Sequence, residues 1–594
     1  MKWQLLLLFT CISLPFMAEA TKKTDLKTPY EKGNGNQTAT YAECIDYYKK
    51  LDKEFSEIKL REYGKTDVGK PLHLVILSPE KVFEPEKIRK QNKRILFIQN
   101  GIHPGEPEGI DASMMLVRDL LQKPEWKQHL QNLVIIVTPV YNIDGMLNRN
   151  SGTRANQLGP ESYGFRGNAR NLDLNRDYIK TESGNAKAFQ EIFQEWQPDI
   201  FVETHTSNGA DYQYVMTLIA TQKDKLQPVL GNYMHTEMLP ELYAEMQKSG
   251  FPMIPYVNSK DETPESGIVD FLESPRYSTG YAALFNTIGF MPETHMLKPF
   301  KQRLESTYKL LEIYIKMVNR DAEKIGKLRA QAWAETLKQK QFPLTWKLNE
   351  QKSEQIPFLG FKAGHKKSEV SGSDRLYYDR NQPFEHKIQY FNTYEPNVTV
   401  SKPEAYIIPQ AWPEVIDRLK RNGIQIQQLK NDRVLAVKTY YITGYENLKR
   451  PFEGHYLNYN VQVRTADQNW PFYEGDYVVF TDQQNIRYIL ETLEPQASDS
   501  FFAWNFFDSI LGRKEYFSPY IFEDTAAELL QRDPQLKAEL EKAIAEKPEL
   551  KNDAYAQLDF IYQRSEHYEN THNRYPVVRV ENAVELRQLL GGKR

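Results

Sequence analysis

From about residue 60 to 340 the chain alternates short, unbroken apolar runs with segments whose apolar residues recur at helical spacing. The runs Leu72–Leu77, Ile95–Gln99, Leu133–Thr138, Ile200–Thr204 and Ala283–Met291 are too short for helices and predict strands buried on both faces. Between them, Ile110, Met114, Val117 and Leu121 fall on one helical face, and so do Phe189, Ile192, Phe193 and Trp196. A longer helix carrying Leu304, Tyr308, Leu311, Ile315 and Val318 closes the segment. The alternation predicts an α/β sheet covered by helices on both faces.

Beyond residue 340 the texture changes. Tyr406–Ile408, a helix through Ala411–Arg421 and Gly423–Ile426 read as a β-α-β unit. Leu435–Ile442, Asn458–Val463 and Tyr477–Phe480 predict further strands, and Ala526–Arg564 a helical stretch broken at Pro534 and Pro548. Residues 21–340 are therefore expected to form one domain, and 341–594 a C-terminal α+β region with room for two subdomains. This second part has no metal-ligand spacing, phosphate loop or nucleophile elbow, and its role is not legible.

The first twenty residues read as a signal peptide, with Lys2, the apolar run Leu5–Leu14 and the small-x-small site Ala18-Glu19-Ala20. Cleavage there would export the protein to the periplasm or the medium. No other stretch approaches the roughly 18 apolar residues of a membrane span. A net charge of −3 gives no electrostatic support for nucleic-acid binding. Cys11 leaves with the signal, so Cys44 is the only thiol of the mature chain; no internal disulfide can form, and Cys44 reads as a buried structural residue.

The chemistry gathers at strand ends. Ile95–Gln99 runs into Asn100-Gly101-Ile102-His103-Pro104-Gly105-Glu106, where a histidine and a glutamate three apart can turn one nitrogen and one oxygen to a metal ion. Ile200–Thr204 delivers His205 to the same edge, because ligands of open α/β sheets bind at the carboxyl ends of parallel strands. Two nitrogens and a carboxylate, with a fourth position for water, make a catalytic zinc set. In Asp173-Leu174-Asn175-Arg176-Asp177, Asn175 and Arg176 set an amide beside a guanidinium fork able to grip a carboxylate. Glu293, after Ala283–Met291, can take a proton from a water acidified by the metal.

The set resembles the zinc carboxypeptidase family typified by pancreatic carboxypeptidases A and B, in its bacterial secreted form. The matches run in family order: Gly64-Lys65-Thr66 and Gly69-Lys70-Pro71-Leu72, then His103/Glu106, Asn142-Ile143-Asp144-Gly145, Asp173 to Arg176, His205 and Glu293. The resemblance covers roughly residues 55–320 and implies a mixed, mainly parallel central sheet. It implies one Zn²⁺ per chain on His103, Glu106 and His205, Glu293 as general base and acid, and Asn175 with Arg176 as holders of the substrate carboxylate. It also implies an oxyanion arginine, Arg166 or Arg154, and a substrate-capping tyrosine, Tyr277 or Tyr281. Asp177 departs from the family's second asparagine, adding a negative charge near the carboxylate pocket.

Three readings are open. The first is a zinc metallocarboxypeptidase acting on peptides or proteins with a free C-terminus. The second is a zinc amidohydrolase of the same fold, acting on cell-wall peptides or N-acyl amides. The third is a non-catalytic binding protein, against which the intact ligand set and Glu293 both count.

Overall fold

The computed structural model describes residues 25–591, so the expected signal peptide lies outside the described residues. Ten strands of the first half are β1 (Ile58–Tyr63), β2 (Leu72–Leu77), β3 (Arg94–Gln99), β4 (Leu133–Thr138), β5 (Ile200–Glu203), β6 (His205–Ser207), β7 (Met216–Ala220), β8 (Met253–Pro255), β9 (Ile268–Val269) and β10 (Ile288–His295). All but β9 form one sheet in the order β1-β2-β4-β3-β5-β10-β7-β8, with β6 continuing beside β10. The pairings β3–β4, β3–β5, β5–β10, β6–β10 and β7–β8 are parallel, whereas β1–β2, β2–β4 and β7–β10 are antiparallel. The sheet is mixed and mainly parallel, as expected.

Both faces are covered, which is why its strands are apolar throughout: every residue of β2 and β4 is buried. On one face Phe97 and Phe201 pack on Phe189 and Phe193 of helix Gly184–Trp196. On the other, Phe290 meets Tyr314 of helix Phe300–Arg320, which also packs on helix Glu108–Gln122. Cys44 is buried in this core, as expected of a structural thiol.

Two expectations are corrected: the second strand of the β-α-β unit is not Gly423–Ile426 but the short Gln427–Gln428, and the strand over Ala283–Met291 shifts. The strand predicted over Ala283–Met291 is displaced: Ser278–Ala283 is helical, Asn286 turns the chain at φ 51°, and β10 begins at Ile288. It continues past Pro292 to His295, so Glu293 lies within the strand. Proline's missing N–H is tolerated because β10 pairs with Val202 at Phe290 and next with His205 at Glu293, leaving Pro292 in a gap of the parallel ladder. The long antiparallel hairpins Gln341–Leu348 with Tyr394–Ser401, and Glu354–Lys367 with Asp374–Phe391, are not predicted by the sequence pattern. Asp374–Phe391 and the far end of Glu354–Lys367 are largely polar and exposed and lack the apolar alternation of a half-buried strand, whereas Gln341–Leu348 does alternate, with Phe342 and Leu344 buried.

In the C-terminal region, strands Ala405–Ile408, Gln427–Gln428, Arg433–Asn447, Asn458–Phe472, Tyr477–Phe480 and Val578–Val580 form a second sheet. It is fixed to the first half by buried bonds: Tyr281 Oη donates to Asn422 Oδ1 (2.6 Å) and Arg487 donates to the carbonyls of Lys225 and Ala283 (2.8 Å each). One apolar cluster runs continuously from Leu26 to Val577.

Asp177 does not charge the carboxylate pocket. It is fully buried, accepts from Glu182 N, Ser183 N and Ser183 Oγ (3.0, 2.9 and 2.6 Å), and pairs with Lys180 Nζ at 3.0 Å. It therefore anchors the turn after Arg176 to the start of helix Gly184–Trp196. Removing it leaves the buried Lys180 with Glu182 alone, so Asp177→Ala is expected to lower the unfolding free energy by about 3–5 kcal/mol in denaturant titration. A loss below about 1 kcal/mol would contradict this anchoring role.

Candidate metal and catalytic site

His103 and Glu106 sit on the turn just past β3. Gly101 takes φ 65°, where a Cβ would also press on Ile110 Cδ1 at 3.0 Å, and Glu106 N donates to His103 O (2.9 Å) to close the turn. β6 opens with His205 at the same sheet edge. His103 Nδ1 lies 3.2 Å from His205 Nδ1 and 3.3 Å from Glu106 Oε2, and His205 Nδ1 lies 3.0 Å from the same oxygen. All three side chains are buried, with ligand atoms within 4.8 Å of one another.

The far nitrogens decide the chemistry of this cluster. His103 Nε2 bonds Asp173 Oδ1 at 2.9 Å, and His205 Nε2 bonds Glu203. An ionised carboxylate only accepts, so each Nε2 carries a proton and each neutral ring turns a lone pair inward from Nδ1. Two lone pairs and a carboxylate oxygen then converge, a donor set that a cation satisfies and that the residues fit without rearrangement. Where a proton substitutes for the cation, His205 takes it: burial opposes the charge, but Glu203 and Glu106 raise its pKa well above the ordinary value. Burial likewise works against charge on Glu106, yet Arg154 and His103 hold its carboxyl well below the usual range. Burial also works against charge on Asp173, yet His103, Arg166 and Arg176 hold its carboxyl below the usual range.

A cavity of about 550 Å³ opens in front of the cluster. Arg166, Arg176, Tyr277 and Glu293 line it with the metal-site residues. Glu293 is aligned with His205 across the β6–β10 pairing. Burial pushes its pKa up to about 8, with His205 opposing and Glu106 and Glu203 adding to the rise. Arg176 donates to Asn175 O (2.7 Å) and stacks on the Tyr277 ring, 4.3 Å from its centroid. Asn175 is buried, and its Oδ1 has no partner among the described residues.

The paired candidates differ in their surroundings. Arg154 is fully engaged, with Glu106 Oε1 (2.8 Å), Thr206 O (3.0 Å) and Gln157 Oε1 (2.5 Å), and its side chain is 14% exposed. Arg166 rests on Asp173 through Nε (3.0 Å) and Nη2 (2.9 Å), reaches Glu106 Oε1 from Nη1 (3.5 Å), and is 46% exposed. Tyr281 is wholly buried on Asn422 and Gln194 and does not line the cavity; Tyr277 does.

Two residues of the site carry no role that sequence reasoning assigns. Asp173 enters only as part of its run, and Glu203 not at all. The available signal is a carboxylate two residues before His205, and one beginning the Asp-Leu-Asn-Arg run. Neither identifies a histidine partner until the segments are placed in space.

The zinc carboxypeptidase family is matched by residues 44–236. That span contains the metal cluster, Arg166, Asn175 and Arg176, while Tyr277 and Glu293 lie beyond it. Carboxypeptidase 2 of Trichophyton rubrum is 22% identical over 490 residues, covering 79% of this chain and 84% of the relative. Carboxypeptidase 2 of Trichophyton tonsurans is 22% identical over 469 residues, covering 74% and 78%. The solved carboxypeptidase A of Helicoverpa armigera superimposes with a TM-score of 0.36 at 14% identity, over 50% of this chain and 74% of that one. The family match over residues 44–236 and the similarity to carboxypeptidase relatives agree with the buried histidine–glutamate–histidine cluster: this part of the chain resembles zinc metallocarboxypeptidases in sequence and in its candidate metal site.

Proposed function

We propose that the protein hydrolyses the C-terminal peptide bond of peptides or proteins bearing a free terminal carboxylate, using one zinc ion per chain. The observation that carries this reading is that Arg176, a guanidinium suited to a carboxylate, lines the same cavity as His103, Glu106 and His205. The expected export would bring the enzyme its substrates outside the cytoplasm.

His103 Nδ1, Glu106 and His205 Nδ1 would hold the zinc. When bound, zinc would polarise the scissile carbonyl and acidify the attacking water. Glu293 accepts that water's proton on its carboxylate and delivers it to the leaving amine. The raised pKa of Glu293 belongs to a cluster without a cation; positive charge beside it draws the pKa down and frees the carboxylate to act as a base. Arg166 donates to the oxyanion, held in place by Asp173. Arg176 and the Asn175 amide grip the terminal carboxylate, and Tyr277, stacked on Arg176, closes over the bound residue.

Arg176→Ala is expected to keep its zinc while losing roughly 2–5 kcal/mol in kcat/KM on free-acid peptides. The native enzyme should refuse the same peptides capped as C-terminal amides. Equal turnover of acid and amide forms would instead favour an amidohydrolase.

Glu293→Gln keeps the shape of the side chain and removes the proton acceptor. It is expected to retain a full zinc complement and bind peptide, with turnover at least ~10²-fold lower. Metal content and turnover measured on one preparation decide the point: near-native turnover denies Glu293 the base role, and loss of zinc would make it a ligand.

A further inference from the structure

The hairpin formed by Arg433–Asn447 and Asn458–Phe472 ends in a loop that reaches the first half of the chain at the residue holding His103. Glu453 Oε2 accepts from the backbone N–H of Asp173 at 2.7 Å, a contact across 280 positions of sequence. Asp173 is the most heavily used side chain behind the site: it accepts from His103 Nε2 (2.9 Å), Arg166 Nε (3.0 Å) and Asn175 N (2.9 Å). One peptide group, anchored from the C-terminal region, thus orients a metal-site histidine, an arginine facing the cavity and the turn that carries Asn175 and Arg176.

The tip is built for this reach. Phe452 and His455 exchange both backbone hydrogen bonds (2.7 and 3.0 Å) around Glu453 at φ 52° and Gly454 at φ 85°, a tight two-residue turn. Glycine, asparagine or aspartate normally fills the first central position, because a Cβ is disfavoured there. Glutamate gains nothing for the turn itself; its longer side chain is what spans the distance to Asp173. The tip is pinned by His455, which bonds Glu182 (2.8 Å) and sets its ring against Trp504, and by Phe452, which stacks on Trp504 from the other side of the turn. Asp499, five residues before Trp504, in turn accepts from Arg276 N and Nε (2.9 and 2.7 Å) and fixes the neighbour of Tyr277.

We propose that the C-terminal region is a working part of the catalytic site, with Glu453 as a positioning residue that fixes Asp173 and, through it, His103, Arg166 and the Asn175–Arg176 turn. The inference rests on the reading of His103 as a zinc ligand, but its test does not depend on peptide hydrolysis.

The test compares Glu453→Gly and Glu453→Gln in the full-length protein. Glycine suits the positive φ, so it preserves the turn while deleting the carboxylate; the melting temperature should hold or rise. Zinc affinity, measured by chelator competition, is nevertheless expected to weaken by about tenfold, the low end for residues that orient metal ligands. On a free-acid peptide, kcat/KM per bound zinc should fall about as far. Gln, whose amide oxygen still accepts from Asp173 N, should restore both. Native zinc affinity and kcat/KM in a folded Glu453→Gly protein would overturn the proposal, as would a Gln variant as impaired as Gly. If the native protein hydrolyses no peptide, the functional reading fails while the zinc-affinity comparison still decides this one.

Discussion

The protons on the outward nitrogens of His103 and His205 are the constraint on which the site depends. Asp173 and Glu203 can only accept hydrogen bonds, so they hold those protons on Nε2 and leave each Nδ1 as a lone pair facing Glu106. Three acceptors within 4.8 Å of one another in a buried setting repel unless a positive charge sits among them. The acidic surroundings that would be costly around a neutral cluster are what makes the place attractive to a divalent cation. The strain of assembling them is supported by neighbouring cations, with Arg154 on Glu106 and Arg166 on Asp173.

The fold supplies this constraint through strand ends. β3 and β5–β6 lie side by side and deliver His103, Glu106, Glu203 and His205 to one edge, while β10 brings Glu293 alongside His205. The remaining partners come from loops, which the scaffold must hold by other means. Asn142 ties two of them together, donating from Nδ2 to the carbonyls of Ile102 (3.2 Å) and Arg166 (2.9 Å). Asp177 secures the turn beyond Arg176, and the second half of the chain braces both Asp173 and the segment before Tyr277.

Much of this is legible in the sequence because it is local. Buried parallel strands leave continuous apolar runs, so the sheet can be read from Leu72–Leu77, Ile95–Gln99 and Leu133–Thr138, and the ligand candidates His103, Glu106 and His205 from the residues just past such runs. The displaced β10 is obscured because Ala283, Leu284 and Phe285 look like strand although they close a helical turn ahead of Asn286. The choice between Tyr277 and Tyr281 depends on which side of one short helix faces the cavity, and that between Arg154 and Arg166 on which guanidinium is already saturated. Glu203 and Asp173 carry no spacing rule of their own. Glu453 is beyond any local signal: its partner lies in the other half of the chain, and the only anomaly it leaves is a glutamate where a tight turn favours asparagine or glycine.

The most direct measurement of the central claim is the anomalous difference density at the zinc edge from crystals of the zinc-loaded protein. The account predicts a single strong peak among His103 Nδ1, Glu106 and His205 Nδ1, about 2.0–2.2 Å from each, with both Nε2 atoms still bonded to Asp173 and Glu203. An active protein with no peak there, or with either histidine turned to coordinate through Nε2, would contradict it.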